Sequence, residues 1–448
     1  MRLVRFWASR TWLLGVLSCG VSGPPAPGMG PGKADGSGGS DGGTGGPATD
    51  GSNAIDAGIG VEGGGHDGST PIPGDSADAV DAASDTGQED AGGAVSNLDA
   101  EAGASFVHPG ILHTISDLAR MKSKVAAGAQ PYLDGYNVFR ANPLSSATYT
   151  VQGGFAEMGR RPDVNTVQSE DDADAAYQTA IMWAITGDPA YANKSIQILD
   201  TWSAHLTTIS GLDAILAAGF DGYKLVNAAE IIRYTNAGWS ATGMAAAERM
   251  FRAVFYPVIK NFATFANGNW SLSCMMTMMG IGVFTEDHAM FGRAVDWYYS
   301  GTDNGRLTHY VINDTGQGQE SGRDQGHAQL GIGCAAQAAE IGWNQGLDMY
   351  GAVSNRLLKG FEYTASYNLG NTVPFVATVD TTGQYPQTSI SPIARGMLRP
   401  IYEMVYNHYK VRRGIPCPYT EQAAAKLRPE GAAIKADPPG FGTLLFTQ

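Results

Sequence analysis

The chain has 448 residues and a formal net charge of −14 at pH 7, and its acidity is unevenly distributed. Residues 20–105 hold one lysine and fourteen acidic residues, whereas residues 106–448 hold 25 basic and 29 acidic residues. The larger part is therefore nearly neutral and has no basic run, which argues against a nucleic-acid-binding protein. Such a part can still bind a polyanion through a local basic cleft.

The first 19 residues predict export. Three arginines precede the apolar run 12–17, as in a signal peptide, and this run is too short to span a bilayer. Residues 16–19, Val-Leu-Ser-Cys, resemble a bacterial lipobox, in which Cys19 becomes the lipidated N-terminus. We therefore expect an outer-membrane or cell-surface lipoprotein that touches the membrane only through this anchor. The alternative is an ordinary secretory signal, which gives a periplasmic or secreted protein.

Residues 20–105 form a low-complexity tract of Gly, Ala, Asp, Ser, Thr and Pro. The tract has almost no large apolar residues, so it cannot bury enough surface to offset the entropy of an ordered chain. We interpret it as a disordered linker that precedes the folded domain. A calcium-binding repeat is a weaker alternative, because no fixed period is visible.

Residues 106–448 show helical periodicity nearly throughout and are interpreted as one all-α domain. Many helices joined by short Gly, Asp and Pro turns are typical of stacked helical hairpins. The length fits an α/α toroid, either an incomplete or a closed barrel, better than an open solenoid. Residues 373–379 are the best strand candidate. The predicted helices are 115–127, 172–186, 190–206, 220–234, 241–265, 271–284, 289–299, 327–343, 349–368 and 393–409.

The four cysteines support no metal site. If Cys19 carries lipid, at most one disulfide can form among Cys274, Cys334 and Cys417. Cys274 and Cys334 lie in apolar helical contexts, which favours small buried thiols. The chain has no CxxC, no HExxH and no His/Cys cluster. We therefore expect no metal and no cofactor.

The segment 316–333, GQGQESGRDQGHAQLGIG, concentrates polar side chains beside an apolar helix. If it is helical from about Glu320, then Glu320, Arg323 and His327 share one face. Such a cluster is either a solvated face or the wall of a polar cleft, because buried polar groups need partners. Its glycines favour the cleft, since they allow a ligand to approach the backbone closely. For His327 we favour a functional role over that of a core histidine.

For six further residues a functional role is either evenly balanced against a structural one or the weaker of the two. Asn269 precedes an apolar helix, where it either caps the helix or hydrogen-bonds a carboxylate or oxyanion. Tyr385 lies in a loop before Pro386, where packing is the commoner role, although its phenol could point into a cleft. Arg161 and Gln168 could contact an anionic ligand or belong to a solvated loop. Tyr223 and Lys224 could line the same cleft or begin an amphipathic helix.

Several motifs resemble the alginate-lyase superfamily, and most closely polysaccharide lyase family 38. They are NGNWS at 267–271, ESGRDQGHAQLGIG at 320–333, AAEIGWNQGLDMYG at 338–351, GQYP at 383–386 and HPG at 108–110. The motif at 320–333 together with the one at 338–351 is specific to this family, whereas HPG and GQYP alone are weak evidence. Members of that family cleave uronate polymers such as alginate and glucuronan. The resemblance spans most of residues 106–448 and implies an α/α toroid.

The resemblance implies β-elimination at a uronate. Asn269 and His327 would flank the substrate carboxylate, with Arg323 supporting them by charge-assisted hydrogen bonds. Tyr385 would transfer protons as base, acid or both, and His327 could replace it as base when the C5 proton lies on the opposite face. The family 5 lyases carry Asn-His in the early motif, whereas Trp270 follows Asn269 here, so their roles do not transfer directly. Further substrate contacts are expected from Gln319, Glu320, Asp324, Arg161, Gln168, Tyr223, Lys224 and Trp270.

Three functions compete at this point. The leading one is a polysaccharide lyase that acts, as a monomer, on an anionic polysaccharide. The second is a glycoside hydrolase that uses Glu320 and Asp324 as paired carboxylates. Four residues apart on one helix, these two carboxylates would lie too close together to act across a sugar ring. The third is a non-catalytic glycan-binding lipoprotein, which would not need His, Tyr and Asn converging on one point.

Overall fold

The computed structural model describes residues 105–448. The predicted signal peptide, Cys19 and all but the last residue of the predicted linker therefore lie outside the described residues. The described part is predominantly helical and contains two short strands, β1 (Glu157–Gly159) and β2 (Thr208–Ser210), which pair in parallel.

The helices have the following bounds. They are α1 (Ile115–Ala126), α2 (Tyr132–Ala141), α3 (Thr166–Thr186), α4 (Pro189–His205), α5 (Ala214–Tyr234), α6 (Ala241–Met250), α7 (Tyr256–Ile259), α8 (Gly268–Phe284), α9 (His288–Ser300), α10 (Leu307–Tyr310), α11 (Gln325–Asn344), α12 (Ala352–Asn368), α13 (Tyr402–Tyr406), α14 (Pro418–Leu427) and α15 (Gly442–Leu445). A π-helical turn joins α6 to α7, and another follows α13.

Four long helices form the inner wall of an α/α toroid. Helix α3 packs on α5, α5 on α8, and α8 on α11. These four helices are buried on nearly every face, whereas α4, α9 and α12, which pack against α3, α8 and α11, keep a polar outer side. A helix that is apolar all round belongs inside a fold, so the sequence of α8, with its methionines and glycines, dictates an inner position. The prediction of an all-α toroid is confirmed.

The helix boundaries follow recognisable cap chemistry. The turn Gly187-Asp188-Pro189 ends α3 and begins α4: Gly187 adopts a left-handed φ of 73°, and the Asp188 side chain accepts from the backbone N–H of Ala190. At α1, Thr114 and Asp117 form a reciprocal capping box. These caps fix where α1 and α4 start, and the Gly187 turn fixes where the inner helix α3 ends.

Some sequence expectations about elements were wrong. Residues 373–379 are no strand, since only an isolated bridge joins Thr378 to Gln387. The helix predicted for 393–409 begins only at Tyr402, and the helices α2 and α14 were not foreseen. Side chains of Gln317, Gln325 and Gln329 bond the backbone of the stretch between α12 and α13, which has no helix or strand. This long loop carries Tyr385.

The three described cysteines, Cys274, Cys334 and Cys417, are buried and unpaired with one another, as expected for the first two. Burial raises the pKa of the Cys274 thiol well above its usual range, which leaves it inert. None of the helices within residues 105–448 is long and apolar enough to cross a bilayer.

Candidate active site

A cleft lies where the inner helices begin. It has a volume of about 690 Å³, and its lining includes Arg161 ahead of α3, Asp213 ahead of α5, Asn267 ahead of α8 and Arg323 ahead of α11. The N-terminal end of a helix carries a partial positive charge and unpaired N–H groups. Four such ends and two guanidinium groups around one cleft favour an anionic ligand.

The cleft brings together several residues singled out in the sequence. Arg161, Trp270, Arg323 and Tyr385 all line it. Four other lining residues, Asn267, Gly322, Gln384 and Pro386, belong to the motifs quoted above, although no role was assigned to them. Sequence reasoning missed the remaining lining residues, which are Leu212, Asp213, Phe265, Ala266 and Gln387.

The polar segment 316–324 is a series of turns and not the start of a helix. Helix α11 begins at Gln325, and Asp324 caps it from an extended conformation. The predicted contact nevertheless forms, because the turn brings Arg323 to both neighbours. Its Nη1 donates to Glu320 Oε1 at 2.9 Å, and its Nη2 lies 3.1 Å from His327 Nε2. The cluster is real, although its predicted helical geometry was wrong.

Glu320 supports Arg323 from below the cleft. Its side chain is fully buried, accepts from Arg323 and lies within 3.2 Å of the Tyr310 hydroxyl. Burial raises the pKa of Glu320 above its usual value, an effect that the Arg323 charge opposes. A buried carboxylate with these two partners cannot reach a sugar in the cleft. Glu320 therefore holds Arg323 in place.

Asp324 orients His327 by two hydrogen bonds. Its Oδ1 accepts from the backbone N–H of His327 at 2.8 Å, and its Oδ2 lies 2.6 Å from His327 Nδ1. Although burial opposes it, these bonds hold the pKa of Asp324 below its usual value. A guanidinium can only donate, so His327 Nε2 accepts from Arg323 and the ring proton sits on Nδ1, facing Asp324. The imidazole side chain is 38% exposed and faces out beside Arg323.

The loop that carries Tyr385 is organised by Asp380. The carboxylate of Asp380 accepts from the backbone N–H of Tyr385 at 2.8 Å and from both the backbone and the hydroxyl of Thr382. Asn304 donates to the same carboxylate at 2.8 Å and also to the carbonyl of Ala266. Despite some burial, these donors lower the pKa of Asp380 to about 2. Tyr385 is thus tied to the chain just ahead of α8.

Glutamines of the polar segment anchor the same long loop. Gln317 exchanges two hydrogen bonds of 2.8 Å with the backbone of Val376, in the manner of a strand partner. Gln325 donates to the carbonyl of Ser391, and Gln329 donates to that of Met397. The density of amides in 316–333 therefore has a structural purpose that the sequence did not reveal. It fastens the loop between α12 and α13 to the start of α11.

Gln387 and Gln319 connect the two sides of the site. Gln387, which lines the cleft, donates to the carbonyl of Gln319 at 2.6 Å and accepts from the backbone N–H of Gly322 at 2.7 Å. Gln319 is buried, donates to Asn267 and accepts from the backbone N–H of Gly268. Its predicted role was a substrate contact, but its side chain points to the start of α8 and not into the cleft.

Asn269 does not cap α8. The cap position is Asn267, and Asn269 lies in the first turn of the helix with a buried side chain whose Oδ1 has no hydrogen-bond partner. An unpaired buried amide is costly and calls for an explanation. Its neighbours Asn267 and Trp270 line the cleft, whereas Asn269 itself is not among the lining residues.

The remaining predicted contacts lie elsewhere. Gln168 is half-buried in the first turn of α3 and is not part of the cleft lining. Tyr223 is fully buried and donates to Gln337, and Lys224 is fully buried and paired with Asp174 at 3.0 Å. Periodicity alone could not distinguish an inner helix buried on all sides from a cleft wall. The structure therefore does not bring these three residues to the site.

The arrangement offers no acid and nucleophile pair for hydrolysis. Glu320 is buried against Arg323, Asp324 is bound to His327, and neither belongs to the cleft lining. Asp213 is the carboxylate that does line the cleft, and it pairs with Arg161. Among residues 105–448 no group of three His, Cys, Asp or Glu side chains is arranged to hold a metal ion.

Comparisons with known families and structures identify the family and the fold. The model of the family described as Alginate lyase matches residues 142–375, which include Asn269, Arg323 and His327 but stop short of Tyr385. Comparison with curated proteins gives no significant match.

Solved alginate lyases share the fold. An alginate lyase from Bacteroides ovatus aligns with a TM-score of 0.53 and 12% identity, covering 76% of this chain and all of that one. Alginate lyase A1-III from Sphingomonas species A1 gives a TM-score of 0.52 and 13% identity, covering 74% of this chain and 95% of that one. A tyrosine-to-phenylalanine variant of A1-III complexed with a tetrasaccharide gives a TM-score of 0.54 and 14% identity, covering 78% of this chain and 99% of that one. At such low identity the likeness concerns the fold.

Proposed function

This chain belongs to the alginate lyase family and is a polysaccharide lyase, and we propose that it cleaves a uronate polymer by β-elimination in the cleft at the start of the inner helices. One observation carries the proposal. Arg323, which is hydrogen-bonded to His327, and Tyr385 line one cleft although they come from separate parts of the chain. The relatives named above are alginate lyases, and one is complexed with a tetrasaccharide, which supports an anionic polysaccharide as substrate.

The chemistry requires the substrate carboxylate to be neutralised. The C5 proton of a uronate is not acidic while the adjacent carboxylate keeps its full charge. Donors that bind the carboxylate stabilise the enolate-like intermediate, an effect often worth a factor of about 10² to 10³ per donor. Arg323 is the charged donor at the cleft that contacts His327, and the helix N-termini around it add partial positive charge. In our proposal Asn269 is the second donor, and His327 acts on the carboxylate through Arg323, whose guanidinium it orients by accepting from Nη2.

Tyr385 is the proposed proton-transfer residue. As a phenolate it takes the C5 proton, the C5–H electron pair forms the C4=C5 double bond, and the C4–O bond breaks. The leaving oxygen then takes a proton from the Tyr385 phenol, which returns the residue to its starting state. One residue acts as base and acid when the C5 proton and the leaving oxygen lie on the same face of the sugar.

His327 is less suited to be the base. Its Nε2 lone pair points to Arg323 at 3.1 Å, and its Nδ1 faces Asp324. To remove a proton the ring would have to give up the bond from Arg323. For the epimer whose C5 proton lies on the opposite face, a substrate carboxylate that draws Arg323 away would free Nε2 for that role.

The experiment that tests the function uses the full chain. It is incubated with alginate, glucuronan and a neutral polysaccharide, and both the near-ultraviolet absorbance of the C4=C5 double bond and the new reducing ends are followed. We expect absorbance and reducing ends to rise together with at least one polyuronate and not with the neutral polymer. Reducing ends without absorbance would mean hydrolysis, and binding with neither signal would mean a glycan-binding protein.

We also propose that the chain is exported, because residues 1–19 have the composition of a signal peptide that ends in a lipobox. Polymeric uronates are found outside the cell, where such a lyase would meet them. Metabolic labelling with a fatty acid, compared between the natural chain and Cys19→Ala, tests the lipid anchor. Label that persists in Cys19→Ala would contradict it.

A further inference from the structure

The turn that joins α9 to α10 packs against the start of α8. Within this turn the Asp303 carboxylate accepts from the hydroxyl of Ser271 in α8. The Ser271 hydroxyl in turn accepts from the backbone N–H of Ala263 at 2.9 Å. A Cβ at Gly268 would lie only 2.3 Å from the carbonyl oxygen of Asn304. The glycine of the NGNWS motif therefore leaves room for this turn, which is fixed to the first turns of α8.

Asn304 uses its whole side-chain amide inside the protein. Its Nδ2 donates to the carbonyl of Ala266 and to Oδ2 of Asp380, each at 2.8 Å. Its Oδ1 accepts from the backbone N–H of Thr381 at 3.0 Å and from the Thr381 hydroxyl at 2.8 Å. A primary amide has two donor hydrogens and two acceptor lone pairs, and all four are engaged here. The side chain is buried and is not part of the cleft lining, so it is not placed to touch a ligand.

The bonds of Asn304 connect two sides of the cleft. Ala266 lines the cleft just ahead of α8, and Tyr385 lines it from the long loop between α12 and α13. Three consecutive hydrogen bonds of 2.8 Å each lead from the Ala266 carbonyl through Asn304 and Asp380 to the backbone N–H of Tyr385. Because this loop has no helix or strand, the position of Tyr385 relative to the wall at Ala266 depends on such side-chain bonds.

The Asp380 carboxylate receives its hydrogen bonds from uncharged groups. Among residues 105–448 its donors are the side chain or backbone of Asn304, Thr382 and Tyr385. The titratable groups close to Asn304 along the chain are Asp303, Arg306 and His309. The Asp303 carboxylate is already bound to α8, and Nδ1 of His309 lies 2.7 Å from the Asp303 carbonyl oxygen. A carboxylate introduced at position 304 would therefore stand directly opposite that of Asp380.

We propose that Asn304 is a positioning residue for the elimination. It touches neither the substrate nor the reacting atoms, and through Asp380 it holds the Tyr385 loop against the wall at Ala266. The inference rests on the proposed function in that Tyr385 transfers the proton. Proton transfer needs the reacting atoms about 3–3.5 Å apart, and a misplacement of about 1 Å can cost about 10² in rate. Loss of the Asn304 bonds should therefore lower kcat and leave KM nearly unchanged.

Asn304→Asp in the full chain tests this role, because it exchanges the donor for an acceptor at nearly unchanged shape. At about pH 8 the new carboxylate faces the Asp380 carboxylate and the Ala266 carbonyl. We expect kcat to fall at least about tenfold there, with KM changed by less than about twofold.

The same variant should recover at acid pH. Two carboxylates at this distance share one proton as the pH falls, because ionising both is costly. The shared proton restores a donor between residues 304 and 380, so the ratio of variant to natural kcat should rise several-fold between about pH 8 and about pH 5. Asn304→Ser removes the bonds without adding a charge and should lower kcat by a similar factor at every pH.

Asn407→Asp is the matched control. Asn407 is buried, donates to the Glu403 carboxylate at 3.0 Å and to the Glu403 carbonyl at 2.8 Å, and accepts from the backbone N–H of Gln448 at 3.1 Å. Its replacement also brings two carboxylates together, but Asn407 lies after α13 and is not part of the cleft lining. We expect both aspartate variants to lose a comparable amount of Tm, and Asn407→Asp to keep the natural kcat at every pH.

Hydrogen–deuterium exchange of residues 378–387 follows the Tyr385 loop without turnover. At about pH 8 the exchange should be at least about tenfold faster in Asn304→Asp than in the natural chain, and unchanged in Asn407→Asp. Natural kcat in both Asn304 variants, or a loss in Asn304→Asp that does not depend on pH, would overturn the positioning role. Unchanged exchange in the loop would overturn it whether or not the chain is a lyase. Failure of the proposed function shows separately, because the natural chain would then produce no C4=C5 absorbance while the difference in exchange persisted.

Discussion

Replacement of Asp324 by Asn separates the structural role of this residue from its effect on His327. Asp324 caps α11 through the bond from the His327 backbone N–H and also receives the ring proton on His327 Nδ1. Asparagine keeps a carbonyl oxygen for the cap but presents an N–H₂ group to the ring. The imidazole must then accept at Nδ1 and carry its proton on Nε2, where it meets the donors of Arg323.

The expected magnitudes differ for folding and catalysis. Asn and Asp cap helices about equally well, so the free energy of unfolding should fall by less than about 0.5 kcal/mol from the cap itself. The bond between Arg323 and His327, now 3.1 Å, would be lost. Loss of one oriented donor at the substrate carboxylate lowers kcat by about 10² to 10³. We therefore predict Asp324→Asn to reduce kcat by at least about 10² with an almost unchanged Tm.

The assay measures initial rates of C4=C5 absorbance on the preferred polyuronate and thermal unfolding of each variant. Asp188→Asn is the matched control, because Asp188 caps α4 with a bond of 2.9 Å to Ala190 and is not part of the cleft lining. Asp188→Asn should change Tm by as little as Asp324→Asn does and should leave kcat unchanged. Full activity of Asp324→Asn would refute the assignment of the ring proton and with it the pairing of Arg323 with His327.

Three further changes test other parts of the account. Asp380→Asn places an N–H₂ donor opposite the backbone N–H groups of Thr382 and Tyr385, which Asp380 now accepts from. We expect kcat to fall at least about tenfold with little change in Tm. An unchanged kcat would show that the loop needs no such anchor. Gln317→Ala removes two hydrogen bonds of 2.8 Å to the same loop and should lower kcat by less than Asp380→Asn does. The loop should also become more sensitive to protease, and equal sensitivity in the variant and the natural chain would contradict the anchoring role. Burial lowers the pKa of His113 from 6.5 to about 4. As the pH drops, His113 is therefore protonated in the unfolded chain before it is protonated in the folded one. The free energy of unfolding should fall by up to about 3 kcal/mol between pH 6.5 and pH 4. In urea unfolding at several pH values, His113→Phe should lose less stability between pH 6.5 and pH 4 than the natural chain. An equal loss in both proteins would contradict the contribution of His113.

The inner helices were predictable because their composition determines their position. The run from Leu272 to Phe284 is apolar on every face, and only an inner wall can bury such a helix. Caps such as Asp188 before Pro189 marked boundaries within a residue or two. Helices α2 and α14 escaped prediction because they are short and half exposed, so their apolar pattern is weak.

The site was predictable only in part. Arg323 and Tyr385 meet at the cleft as the resemblance implied, but no local pattern could show that Gln317, Gln325 and Gln329 serve the loop of Tyr385. Those bonds join residues about sixty positions apart, and a side-chain amide carries no mark of its distant partner. Lys224 shows the converse limit, because its buried pair with Asp174 satisfies a charge that looked available for a ligand.

The central claim is that Arg323 with His327 and Tyr385 perform elimination at one cleft. The most direct measurement compares the natural chain, Tyr385→Phe and His327→Ala for C4=C5 absorbance on a polyuronate, with oligomer binding measured in parallel. We predict that both variants bind the oligomer yet lose turnover by about 10³ or more. A Tyr385→Phe chain that produces the double bond at the natural rate would contradict the account.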